Sequence, residues 1–403
     1  MTQPKPIYLD NNATTRVDPL VVEAMLPFFS EQFGNPSSMH AFGSSVSGAL
    51  GKARGQVQAL LGAAHDHEIV FTASGSESDS TAILSALAAN PERREIITSA
   101  VEHPAVLTLC QHLEKHEGYT IHIIPVDGQG RLDLDAYRAA LSERVAVVSI
   151  MWANNETGTL FPVEQLAVWA KQFDIQFHTD AVQAVGKIAL DLKSSAIDML
   201  SLSGHKLHAP KGIGALYVKR GTRFRPLIRG GHQERGRRAG TENAPGIVGL
   251  GKAADLALTW MLDENTRVKA LRDKLEAGLL ATIGHCFVTG DPVNRLPNTC
   301  NIAFEYIEGE AILLFLNRNG IAASSGSACT SGSLEPSHVM RAMGIPYTAA
   351  HGATRFSLSR ETTEAEIDRV LAVTPGIIEQ LRRLSPYWNA ETGSAKEFQP
   401  AYA

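Results

Sequence analysis

Ser203-Gly204-His205-Lys206 follows the apolar run Ile197 to Leu202, so a lysine leaves a predicted strand in a short polar turn. An amine placed there, partly desolvated and beside cationic or polar groups, loses its proton and can condense with an aldehyde. Exposure on the surface is the commoner fate of a lysine and stands as the alternative. A second predicted strand ends Gln176-Phe177-His178-Thr179-Asp180 and continues into Ala181-Val182-Gln183. Asp180 thus sits at a strand's carboxyl end, where open α/β sheets bind ligands, with Gln183 one turn further on. Taken alone, Asp180 also reads as a strand-end cap.

A Schiff-base lysine and a carboxylate at one sheet edge meet the needs of pyridoxal phosphate, whose ring is a strong electron sink only when an acid keeps its nitrogen protonated. Its phosphate needs a cradle. The predicted strand Glu68 to Thr72 ends in Ala73-Ser74-Gly75-Ser76-Glu77-Ser78, and small residues at a strand-to-helix turn let Gly75 and Ser76 approach an anion. An ordinary N-cap with Glu77 in the first turn explains the same residues equally well. His103, before Pro104, can stack on a pyridine ring and relay protons, or only cap a helix. Asn155, in Asn154-Asn155-Glu156-Thr157-Gly158, can donate to the cofactor or to a substrate carboxylate, although paired asparagines also form plain turns. Thr241, in a loop rich in Arg and Gly from Arg229 to Asn243, reads as a phosphate donor or a helix cap.

Two further candidates lie late in the chain. Ala322 to Ser333 is a loop of small residues around Cys329, of the kind that carries a reactive group to a rigid scaffold, and Cys329 as thiolate is the candidate nucleophile. Arg355 has the planar fork that grips a carboxylate, or forms a surface ion pair. Asp10, Asn11 and Asn12 either reach the site or hydrogen-bond their own backbone.

The positioning elements alternate. Short apolar strands at 68–72, 95–98, 120–124, 145–151, 175–179, 199–202 and 214–218 are interleaved with helices such as 81–89, 105–116, 134–142 and 163–173. The pattern predicts an α/β fold with a mainly parallel sheet covered by helices. Helices are expected at 19–29, 44–61, 246–262 and 266–280. A large domain over 15–262 and a smaller α+β domain from 1–14 with 263–385 are expected, the latter carrying the mobile cysteine loop at about 322–334. Lost periodicity marks 386–403 as a flexible tail. With 403 residues, a formal charge of −5 and a pI near 6.3, nothing favours nucleic acid or an anionic membrane surface. No apolar export or membrane segment is seen, and the 4 cysteines lack zinc or disulfide spacing, which suits a cytoplasmic enzyme.

Leu9-Asp10-Asn11-Asn12-Ala13-Thr14-Thr15, Val101-Glu102-His103-Pro104, His178 to Gln183, Ser203 to Lys206 and Ser325-Gly326-Ser327-Ala328-Cys329 together resemble the group I cysteine desulfurases, in particular the nitrogenase-associated NifS type. The resemblance spans essentially the whole chain. It implies a fold-type I pyridoxal-phosphate enzyme acting as a homodimer on L-cysteine, passing sulfur through a Cys329 persulfide to an iron–sulfur scaffold of the NifU type. By position, Lys206 would carry the cofactor, Asp180 the pyridinium, Gln183 the phenolic oxygen and His103 the ring face. Gly75, Ser76, Ser203 and His205 would bind phosphate, with Thr241 reaching in from the neighbouring subunit. Asn155 would lie near cofactor and substrate, and Arg355 would bind the substrate carboxylate. Many relatives have threonine where Ser76 stands, which keeps the hydroxyl. An aminotransferase or selenocysteine lyase of the same fold is the rival reading. A scaffold using Cys110, Cys286, Cys300 and Cys329 as iron ligands is another, disfavoured by spacing, which leaves a transient cluster on Cys329 open.

Overall fold

The computed structural model describes residues 6–325, 336–389 and 391–396. Twelve strands organise the site: β1 (Ile7–Tyr8), β2 (Ile69–Thr72), β3 (Glu95–Ser99), β4 (Thr120–Ile124), β5 (Val145–Ser149), β6 (Gln176–Asp180), β7 (Met199–Ser203), β8 (Gly214–Val218), β9 (Cys286–Val288), β10 (Thr299–Phe304), β11 (Ile321–Ala322) and β12 (Ala353–Ser357). Seven form one sheet in the order β2-β8-β7-β6-β5-β3-β4. The pairs β4–β3, β3–β5, β5–β6 and β6–β7 are parallel, whereas β8 is antiparallel to both β7 and β2. Every residue of β2, β3 and β5 to β8 is buried, because helices cover both faces, and this is why strands such as β2 and β5 read as nearly continuous apolar runs. One consequence governs the site. The carboxyl ends of β2, β3, β5, β6 and β7 all open at a single edge.

The second sheet is antiparallel, β12-β10-β9, and beside it β1 and β11 pair in parallel. Leu9, Leu275, Ile302, Phe304, Phe356 and Ile378 belong to an apolar cluster distinct from the one under the large sheet. An isolated bridge at Thr159–Arg295 ties the two units together, and one at Asp10–Ser357 joins the continuation of β1 to β12.

Helices start where polar side chains satisfy their first N–H groups. Asp18 caps Pro19–Met25, Ser74 caps Gly75–Ala89 and the His103 ring caps Pro104–Glu117. Several expected boundaries move. The helix expected over 19–29 is two, Pro19–Met25 and Pro27–Ser30, divided at Pro27, which cannot donate its backbone N–H to a preceding turn. The helix expected from 81 begins at Gly75, six residues sooner, so the Gly75-Ser76 turn is itself the first helical turn. Ala41–Leu61, Ala244–Asp263 and Lys269–Thr282 replace the other expected ranges, the last entered through a π-turn at Glu264–Val268. Within the segment read as a tail, Trp388–Asn389 pairs with Ser394–Ala395, and the Trp388 ring packs edge-on against His285 at 4.9 Å. A two-residue hairpin is too short to register as periodicity. Cys329 lies outside the described residues.

Candidate active site

Lys206 ends the tight turn Gly204–Lys206 that follows β7. Gly204 permits that turn, since a Cβ there would stand 2.8 Å from Ile213 Cγ2. The Lys206 ammonium donates to the carbonyls of Asn12 and Ala13, each at 2.6 Å. Asp180, at the end of β6, is buried and accepts the Val182 N–H at 2.9 Å. Burial raises its pKa, while the Val182 N–H and nearby His103 and Lys206 pull it back. Gln183 donates from Nε2 to the Asn12 carbonyl at 2.9 Å, and its buried Oε1 has no hydrogen-bond partner. A buried orphan acceptor marks a place for a ligand donor.

His103 fulfils the cap reading and also lines the cavity. Its Nδ1 accepts the Ala105 N–H at 3.1 Å, which assigns the proton of the neutral ring to Nε2. Burial lowers its pKa, so the neutral ring is favoured. At the other end, Gly75 and Ser76 open their helix. Glu77 N–H is taken by Ser74 Oγ at 3.1 Å and Ser78 N–H by the Ser74 carbonyl, which leaves the Gly75 and Ser76 N–H groups without an intrahelical acceptor. A Cβ on Gly75 would approach Val182 Cγ2 to 2.9 Å and Ser203 Cβ to 3.4 Å, so only glycine fits this close approach. His205 contacts Thr14 Oγ1 through Nδ1 at 3.2 Å, and burial with Lys206 and Lys211 nearby pushes its pKa down to about 4.

On the remaining side, Arg355 projects from β12 and is 2% exposed. Its Nη1 donates to the Asn155 carbonyl at 2.8 Å and Nη2 to Asp10 Oδ1 at 3.0 Å, while the buried Nε has no partner. The expected surface pair is therefore a buried one, with a donor left over.

Gly75, Ser76, His103, Asn155, Asp180, Gln183, Ser203, His205, Lys206 and Arg355 line one cavity of about 500 Å³. Thr241 does not. It is exposed and borders a separate cavity of about 240 Å³ with Ala73 and Arg238. Three residues were not singled out in the sequence, or were left open there. Asn12 also lines the main cavity, and its Nδ2 donates to Thr299 Oγ1 at 2.9 Å while its Oδ1 accepts from Asn298 Nδ2 at 3.0 Å. Asp10 pairs with Arg355. Asp79 is buried at the cavity wall with Oδ1 3.6 Å from His178 Nε2, and burial and Asp180 raise its pKa well above the usual range. Nothing in a helix-interior aspartate signals this from sequence, whereas polar Asp10 to Asn12 after a strand did carry a signal.

The arrangement suits pyridoxal phosphate. An acid, a lysine and a helix N-terminus line the same cavity, and the orphan Gln183 Oε1 awaits a donor. The remaining cysteines are no ligand set: Cys110 and Cys300 are buried in different apolar clusters, and burial raises the Cys110 thiol to about 12. Among the described residues no group of three or more His, Cys, Asp or Glu side chains could hold a metal. Likewise no described helix is long and apolar enough to cross a membrane.

Residues 7–370 match the class-V aminotransferase family. The chain is 70% identical over 399 residues to the cysteine desulfurase NifS of Azotobacter vinelandii, covering 98% of this chain and 99% of the relative. It is also 70% identical over 397 residues to a cysteine desulfurase of Gluconacetobacter diazotrophicus, with the same coverage. A solved structure described as a NifS-like protein superposes with a TM-score of 0.87 at 37% identity, covering 93% of this chain and all of the other. With its lysine, acid and helix N-terminus around one cavity, the chain belongs to the class-V aminotransferase family and, within it, to the pyridoxal-phosphate-dependent cysteine desulfurases of NifS type.

Proposed function

We propose that the enzyme converts L-cysteine to L-alanine, leaving the sulfur on Cys329 as a persulfide. The observation that carries this reading is the convergence of Lys206, Asp180, the Gly75-Ser76 turn and Arg355 on one cavity. When bound, pyridoxal phosphate supplies an electron sink for the charge left at the substrate Cα. Lys206 Nζ is the group that would hold the cofactor and would serve as the base for the Cα proton. Asp180 holds the ring nitrogen protonated and His103 covers the ring face. Gly75, Ser76, Ser203 and His205 grip the phosphate, and Gln183 and Asn155 flank the ring and the substrate. Arg355 clamps the substrate carboxylate, with its unpaired Nε supporting that role.

The Cys329 thiolate then bonds to the substrate sulfur as the substrate C–S bond breaks. The C–S electron pair stays with carbon and is protonated, Lys206 is the group that would return the Cα proton, and L-alanine leaves while Cys329 keeps the second sulfur. The sulfur is passed on for iron–sulfur cluster assembly, to a scaffold of the NifU type. The same reading places Thr241 in the phosphate site of a second subunit, which is supported by its position outside this subunit's cavity. The exposed Phe29, Phe33, Met39 and Phe42 favour a second copy as their cover. Residues 15–262 form the cofactor domain and 1–14 with 263–385 the smaller one, which the separate apolar cluster supports, with Val339 to Ala353 packing against the larger cluster.

The test is Cys329→Ala. The variant should bind cofactor and L-cysteine with the parent's absorbance changes, yet form neither persulfide nor stoichiometric alanine and sulfide in the presence of a thiol reductant. Normal sulfur release from the variant, or keto acid as the main product of the parent, refutes the reading.

A further inference from the structure

The 229–243 segment is fastened by two ion pairs, Arg54–Glu234 to the helix Ala41–Leu61 and Arg238–Glu77 to the turn that carries Gly75 and Ser76. At its base, Glu234 and Arg235 both adopt left-handed backbone, with φ of 49° and 57°, a strained state for consecutive non-glycine residues. Glu234 is held there by Arg54, which donates from Nη1 and Nη2 at 2.7 Å each, and by the Phe71 N–H of β2 at 3.0 Å. Four residues on, Arg238 donates from Nε to Glu77 Oε1 at 2.9 Å and from Nη2 to Oε2 at 3.3 Å. Glu77 is in the first turn of the helix that opens at Gly75, and its Oε2 also accepts the Ala73 N–H at 2.8 Å.

A carboxylate in a helix's first turn interacts favourably with the helix dipole, yet it competes with any anion bound at the same N-terminus. A phosphate ester brings close to two negative charges at neutral pH. The Arg238 and Glu77 side chains are only 24% and 13% exposed, so solvent screens neither fully.

We propose that Arg238 is a positioning residue for the cofactor's phosphate: it neutralises Glu77 and fixes the 73–76 turn, so that the Gly75 and Ser76 N–H groups meet a dianion without an opposing charge. This rests on the reading of that turn as the phosphate site. Glu234 and Arg54 act further back, holding the strained backbone from which Arg238 reaches Glu77.

The experiment measures binding of pyridoxal phosphate and of pyridoxal, which lacks the phosphate, to apoenzyme by absorbance titration. The proteins are the parent, Arg238→Met, Glu77→Gln and the double variant. Arg238→Met should weaken pyridoxal phosphate by about tenfold, the size of one partly screened charge interaction, and leave pyridoxal within about twofold. Glu77→Gln should bind pyridoxal phosphate at least as tightly as the parent, and the double variant should recover the parent's affinity. Equal loss for both ligands in Arg238→Met, or no recovery in the double variant, overturns the proposal. If the parent itself binds pyridoxal as tightly as pyridoxal phosphate, the phosphate-site reading falls and this proposal with it. If the parent discriminates and Arg238→Met does so equally well, only the role of Arg238 is overturned.

Discussion

The Lys206 ammonium donates at 2.6 Å to the backbone carbonyl of Asn12, a residue 194 positions earlier in the chain. The same carbonyl accepts from Gln183, and the Asn12 side chain spans Thr299 and Asn298 beside the second sheet. Asn12 therefore joins the lysine turn of the large sheet to the unit that carries Arg355.

Asn12→Ala removes that joint. Thr299 and Asn298 each lose a buried hydrogen bond while keeping another, and each such bond contributes about 0.5–1.5 kcal/mol. The variant should melt several degrees lower and lose activity, whereas a change at exposed Glu31 should do neither. Differential scanning calorimetry with the alanine assay decides; an unchanged midpoint would remove Asn12 from its joining role.

Arg355→Lys keeps the charge and loses the fork. A lysine cannot hold Asp10, the Asn155 carbonyl and a carboxylate together, so kcat/KM for L-cysteine should fall about 10- to 100-fold, chiefly through KM. Steady-state kinetics at fixed cofactor saturation reads this directly. An unchanged KM would move substrate recognition elsewhere in the cavity.

Glu102 gives a pH signature. It accepts from Ser99 Oγ at 2.6 Å and from the Met151 N–H, yet burial dominates and raises its pKa to about 8. The native state thus holds a proton that the unfolded chain releases near pH 4.5. The stability tied to that proton is complete below pH 4.5 and is lost as pH rises through 8. Glu102→Gln should therefore gain on the parent in melting temperature as pH rises from 4.5 to 8, with no further gain above that. A difference that stays flat with pH would show a Glu102 that is already ionised.

Thr241 supplies a test in trans. If it serves the second subunit, a hybrid of Thr241→Ala and Lys206→Ala chains contains one site with both residues intact. Co-expressed hybrids should show close to half the parent's activity per dimer, while each variant alone is impaired. Hybrids no more active than the Thr241→Ala homodimer would place Thr241 at its own subunit's site.

Most of the cavity was legible because its residues sit where strands end, and polar side chains at such points stand out against apolar runs. Asp180 ends β6 in this way, and Lys206 and His103 follow β7 and β3. Asp79 was not, because an acid inside a helix looks like any solvated helical residue until burial is known. The Gly75 turn is the first helical turn rather than a loop before the helix, since glycine and serine runs favour loops and caps alike. For His103 the two readings offered by sequence were not rivals: one ring nitrogen caps a helix while the ring lines the cavity.

The bridge from the first dozen residues to β12 sets an order on synthesis. Asn12 N–H donates to Ser357 Oγ at 2.9 Å, across 345 positions. At about 5–20 residues per second, a ribosome takes on the order of 20 seconds or more to supply that partner. Over that interval the nascent large sheet can fold with its lysine turn in place but without its Arg355 wall. Catalytic competence is thus the last property the growing chain acquires, and a chain released before β12 would be folded in large part and inert.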